Sequence, residues 1–203
     1  MSINLHILNA DGTLDGSLKA INDAFNDARK TAIKRLSVDD VDIVFRNAPS
    51  FAIPELKVGG FTTDDGYCIY ISLDAKKDFK SATIYPQLLH ELHHAKRFQS
   101  QGWPQDLAGN LVSEGLACLF EEEETKERPI YTRLKLAEND IERAKKHFFD
   151  SGYNHDEWFF GTKNLPRWFG YAYGYQLCKD YSTKIKKSSA ELVLISEKII
   201  AKG

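Results

Sequence analysis

Three of the six histidines in this 203-residue chain fall within five positions, in Leu89-His90-Glu91-Leu92-His93-His94. His90, Glu91 and His94 satisfy H-E-x-x-H. On a helix, His90 and His94 differ by about 40° of rotation and about 6 Å of rise. Both imidazoles can then reach one metal ion at the roughly 2.0–2.1 Å that zinc–nitrogen bonds require. Glu91 lies about 100° round from His90 and about 60° from His94. That puts it on the shoulder of the histidine face, where a carboxylate can take a proton from a water beside the metal. His93 flanks the same face on the other side, and a supporting or substrate-side role is expected of it. The competing reading is a helix whose histidines are simply solvated.

A catalytic zinc wants a third protein ligand and an open position for water. Arg97 and Ser100 stand where a metzincin would carry its Gly and third His, so that pattern is absent. Glu114, twenty residues after His94, is the candidate instead, in Asn110-Leu111-Val112-Ser113-Glu114-Gly115-Leu116-Ala117. The interval allows one helix to end at Gly102-Trp103-Pro104 and a second to return alongside. Leu107, Leu111, Ala117 and Cys118 are its helical neighbours, and an ionised carboxylate among them is costly unless paired. A metal held by two neutral imidazoles supplies that partner; an exposed or Lys-paired Glu114 is the alternative.

The two segments together resemble the gluzincin metallopeptidases, of which thermolysin is the familiar member. More narrowly, His90-Glu91-Leu92-His93-His94 followed by Ser113-Glu114-Gly115-Leu116-Ala117 is similar to a bacterial family of predicted zinc-dependent proteases of unknown function. That family also carries a Gly-Tyr-x-x-Gly-Tyr segment, matched here by Gly170-Tyr171-Ala172-Tyr173-Gly174-Tyr175. The resemblance spans most of the chain. It implies His90, His94 and Glu114 as metal ligands and Glu91 as catalytic acid/base. Ser113, where thermolysin has Asn before its ligand Glu, is a departure. Gluzincin-like sites also use a Tyr or His to stabilise the oxyanion. Tyr171 and Tyr175, one helical turn apart, are the candidates, with Tyr175 favoured as donor and Tyr171 as its neighbour. The bland alternative is that both tyrosines belong to the core and that Gly170 and Gly174 let helices approach. His147 and His155 are expected to be exposed.

The elements that must position these groups follow from periodicity. Leu14, Leu18, Ile21, Phe25, Ala28, Ala32 and Leu36 recur at helical steps. Val41–Phe45, Leu56–Thr62 and Tyr67–Leu73 read as strands, the last two joined by the turn signal Asp64-Asp65-Gly66. Helices are expected near 82–100, 105–123, 130–149, 166–184 and 189–201, the last opened by a Ser188/Glu191 capping box. Ile84, Leu88, Leu92 and Ala95 form the apolar back of the histidine helix. The run Glu121–Glu124 reads as a solvated helix end. The fold class is α+β: a small N-terminal antiparallel or mixed sheet, the H-E-x-x-H helix, and a mostly helical C-terminal half. One peptidase domain over 1–203 is expected, with helix and sheet in 1–80 and the metal site in 81–203.

Composition bounds the function. Apolar residues make up 42% and charged residues 28%, the balance of a soluble globular protein. With 27 Lys and Arg against 29 Asp and Glu, the net charge of −2 disfavours a nucleic-acid partner. No run approaches the roughly 20 apolar residues of a membrane span, and no secretory leader opens the sequence. Cys68, Cys118 and Cys178 are scattered and form no C-x-x-C pair, which suits reduced thiols in the cytoplasm. The expectation is a cytoplasmic peptidase with one zinc per chain, acting on a peptide or protein substrate. A strand edge is expected to hold that substrate in extended form. A zinc-stabilised, non-catalytic binding module is the alternative. Glu91 argues against it, because structural zinc sites usually close with four protein ligands.

Overall fold

The computed structural model describes residues 2–38, 40–76, 79–162 and 164–201. It is α+β, and the chain divides into two compact units, residues 1–102 and 103–203.

The first unit holds a four-stranded mixed sheet of β1 (Ile3–Leu8), β2 (Val41–Asn47), β3 (Val58–Thr62) and β4 (Cys68–Leu73). The spatial order is β1-β2-β4-β3. β1, β2 and β4 run parallel, and β3 lies antiparallel to β4 at the sheet edge. Strand β1 is an addition to the three expected strands. Its signal is the alternation Ile3, Leu5, Ile7 against Asn4 and His6, a half-buried strand in miniature. On one face, Val41, Ile43, Phe45, Ile69 and Ile71 are fully or almost fully buried. Helix α2 (Ser81–Gln101) packs on β3 and β4, and α1 (Leu18–Leu36) packs on α2. Helix α1 buries Ile21, Ala24, Phe25, Ala28, Ala32 and Leu36, at the expected three- and four-residue steps. Leu14 is buried too, but ahead of the helix, before a 3-10 turn at Asp15–Ser17. Ile84, Leu88, Leu92 and Ala95 of α2 are wholly buried, as its apolar back requires.

The second unit is helical. Helix α3 (Leu107–Thr125) starts at Asp106, whose carboxylate accepts the Gly109 N–H at 2.7 Å. It packs on α6 (Phe169–Ile185). The crossing is tight because Gly115 meets Gly174: a Cβ on Gly115 would stand 2.1 Å from the Gly174 carbonyl oxygen. Two short helices, α4 (Glu138–His147) and α5 (His155–Phe159), complete a core of Leu107, Leu111, Phe148, Trp158, Phe169 and Tyr173. The expected helix 130–149 is thus shorter, preceded by a 3-10 turn at Ile130–Thr132.

At the C-terminus, the Ser188/Glu191 pair does close: the Ser188 hydroxyl donates to Glu191 Oε2 at 2.8 Å. Yet regular helix is confined to α7 (Glu197–Ala201). The capping box nucleates turns that do not propagate, as the cost of the first helical turn allows. Among the described residues, no helix is long and apolar enough to cross a membrane.

Candidate metal centre

Helix α2 carries His90, Glu91 and His94 in regular helical geometry, so the expected face forms. All three are buried, each 4% exposed, which removes the solvated-histidine reading. The two Nε2 atoms lie 3.1 Å apart. Two nitrogens at tetrahedral positions on one zinc, each about 2.05 Å away, would be separated by about 3.3 Å. The rings meet edge-on, 77° between planes, and the His94 ring stacks on Phe98 one turn later at 5.1 Å. His94 is therefore braced by its own helix.

The ligand atoms of His90, His94 and Glu114 all lie within 4.8 Å of one another. Among the described residues no other group of His, Cys, Asp or Glu meets that condition. Two imidazoles and one carboxylate are a donor set for a catalytic metal with an open position. The residues present thus fit the group.

Glu91 turns toward the sheet. The buried Thr62 hydroxyl on β3 lies 2.7 Å from Glu91 Oε2 and 3.1 Å from the Glu91 carbonyl oxygen. Gly60, two residues earlier on the same inward face, leaves room for the carboxylate: a Cβ there would be 2.4 Å from Oε1. Register explains the pair, since Gly60 opposes Ile71 and Thr62 opposes Ile69, both core residues of β4. Sequence reasoning missed Gly60 and Thr62. Strand alternation puts them on one face, but nothing local says that the face meets Glu91.

The two tyrosines part company. The Tyr175 hydroxyl donates to Glu122 Oε2 at 2.5 Å and accepts from Lys179. Glu122 lies two turns, about 12 Å, beyond Glu114 along α3. The Tyr175 hydroxyl is thus bonded to both Glu122 and Lys179. Tyr171 is half-buried, its ring 5.2 Å from Tyr131 and 5.3 Å from Phe159. Tyr131 in turn donates to Glu121 and feels both Cys118 and Tyr171. Burial pushes the Tyr131 phenol well above its ordinary range, and the Glu121 charge adds to it. Gly170 faces the Phe159 ring, so both glycines of the segment serve close packing.

Tyr153 is a further residue the sequence did not flag. Burial raises its phenol pKa, and the charges of Glu114 and Asp106 raise it further. His93 is completely buried. His155 is half-buried and stacks on Phe159 at 4.4 Å, whereas His147 is exposed.

The glutamate run is not a solvated end. Glu121 is buried against Tyr131, Glu122 binds Tyr175 and Lys179, and Glu123 accepts from the Ser189 N–H and hydroxyl. Burial pushes the Glu122 carboxyl up, but Tyr175, Lys179 and Arg128 outweigh it and hold the pKa below its ordinary value.

The model of a family described as predicted Zn-dependent protease (DUF2268) matches residues 21–202. The chain belongs to that family. Its name states a predicted activity, and the match takes in β2 to β4 and helices α2, α3 and α6. No curated protein and no solved structure matches the chain.

Proposed function

We propose that this member of the family is a zinc peptidase of gluzincin type, one domain over residues 1–203, with one zinc per chain held by His90, His94 and Glu114. The observation that carries the reading is a buried carboxylate, Glu91, fixed beside a histidine pair whose Nε2 atoms are 3.1 Å apart. A site that served stability alone would have no use for that carboxylate. When bound, zinc supplies a Lewis acid that polarises a carbonyl and lowers the pKa of water toward 7.

The chain's own residues do the rest. Glu91 takes a proton from the attacking water at a carboxylate oxygen. It hands that proton to the departing amine nitrogen as the C–N bond breaks. Tyr171, rather than Tyr175, is assigned to donate to the developing oxyanion, because the Tyr175 hydroxyl already serves Glu122 and Lys179. The peptide lies along β3, the edge strand whose inward residues touch Glu91, and pairs with it through main-chain hydrogen bonds. We place the protein in the cytoplasm, since its three cysteines, Cys68, Cys118 and Cys178, are scattered and form no C-x-x-C pair.

The test is a peptide library digested by the zinc-loaded protein and by Glu91→Gln. The variant keeps the shape of the side chain but cannot accept the proton. It should bind zinc as the wild type does and lose about 10²–10⁴-fold in rate. Zinc binding by the wild type without cleavage of any peptide would favour a binding module instead.

A further inference from the structure

We propose that Thr62 is a positioning residue for Glu91: its hydroxyl holds Oε2 so that Oε1 is the oxygen that moves the proton. This rests on the peptidase reading above.

A glutamate side chain on a helix has a soft terminal torsion, and its two oxygens are chemically equivalent until something distinguishes them. A general base must present one oxygen in a fixed direction, because misplacement by about 1 Å can cost about a hundredfold. Thr62 supplies the distinction. It is 2% exposed, and its backbone is pinned opposite Ile69 in the β3–β4 ladder. Its β-branched side chain is stiff at χ1. The hydroxyl carries a single proton and faces two acceptors, Oε2 at 2.7 Å and the Glu91 carbonyl at 3.1 Å. The shorter contact to an ionised oxygen takes the proton, since charge-assisted bonds are the stronger ones. Gly60 completes the arrangement, because only a residue without a side chain leaves room for Oε1 over the strand. Strand and helix thereby fix the carboxylate at both oxygens, one by a bond and one by shape.

Two substitutions separate hydroxyl from shape: Thr62→Val removes the hydroxyl at nearly constant volume, and Thr62→Ser keeps it. Each full-length variant is loaded with zinc and measured for kcat, KM and zinc affinity by chelator competition, and its crystal structure is solved. Thr62→Val should lose about 10–100-fold in kcat, the usual effect of removing such a partner. Its KM and zinc affinity should stay near wild type, with the Glu91 carboxylate turned from its place. Thr62→Ser should recover most of the rate. Wild-type kcat in Thr62→Val, equal impairment in Thr62→Ser, or an unmoved Glu91 carboxylate would each overturn the proposal while leaving the peptidase reading intact. A wild-type protein that binds zinc and cleaves nothing would overturn that reading, and the role of Thr62 with it. Should Thr62→Val not fold, Thr62→Ala removes the same hydroxyl without crowding and is read in the same way.

Discussion

Glu91 and Gly60 share a space that one methyl group would fill, since a Cβ at Gly60 would stand 2.4 Å from both Oε1 and Cγ of the glutamate. The atoms in the way belong to a side chain that can rotate, not to backbone. Gly60→Ala should therefore fold and bind zinc, with Glu91 swung aside. Turnover should fall by about 10–100-fold, as expected when a carboxylate leaves its productive direction. Paired measurements of kcat and zinc affinity check this. Wild-type turnover in Gly60→Ala would mean that the seat of Glu91 on β3 does not matter to the reaction.

The metal should report itself through stability. A ligand that binds only the folded state stabilises it by about 2.7 kcal/mol at a hundred times its dissociation constant. Zinc should raise the thermal midpoint of the wild type, and a chelator should reverse the rise. In Glu114→Ala the zinc-dependent rise should shrink markedly, because one of three donors is gone. An undiminished rise would remove Glu114 from the ligand set.

His90, Glu91 and His94 lie on one helix, so their geometry is fixed by 3.6 residues per turn, and sequence suffices. Glu114 was legible for a different reason, as a charge in an apolar stretch that needs a partner. Thr62 and Gly60 were not, because their role depends on which helix the inward face of β3 meets. Glu121 to Glu123 were misread as solvated. Their partners Tyr131, Tyr175 and Ser189 come from 10, 53 and 66 residues away. Local charge density cannot anticipate phenols and hydroxyls brought in by tertiary packing. The helix expected over 189–201 failed in the opposite sense, since a cap satisfies the first turn and does not by itself carry a helix further.

Glu122 gives a pH dependence of known sign. Its folded pKa lies below the ordinary carboxyl value, because Tyr175, Lys179 and Arg128 outweigh burial. The ionised carboxylate thus contributes stability that is fully present above the unfolded pKa and lost as pH falls through the folded one. Lys179→Met should lose part of it, on the order of 1 kcal/mol for a pair this exposed. Urea unfolding of both proteins from pH 7 down to about pH 3, through the carboxyl range, should show the difference largest at neutral pH and shrinking in acid. A difference that stays constant with pH would assign the loss to packing of the lysine stem.

The tyrosines allow the sharpest separation, because the two hydroxyls have different work. Tyr175 is 1% exposed, with Glu122, Lys179 and the Arg128 guanidinium 4.6 Å over its ring. Tyr175→Phe leaves Glu122 short of a donor and should cost about 1 kcal/mol of stability, with zinc-dependent turnover close to wild type. The Tyr171 ring is held between Tyr131 and Phe159. Phenylalanine there keeps those ring contacts and should keep the fold. If the Tyr171 hydroxyl serves the oxyanion, turnover should drop by about 10²–10³-fold, as when one donor is removed from such a site. Most of that loss should fall in kcat rather than KM, the mark of an interaction made in the transition state. The sequence favoured the reverse order, on helix spacing alone, which cannot tell two residues one turn apart. A slow Tyr175→Phe with a fully active Tyr171→Phe would restore that order and show that the Glu122 contact is exchanged for substrate during the reaction.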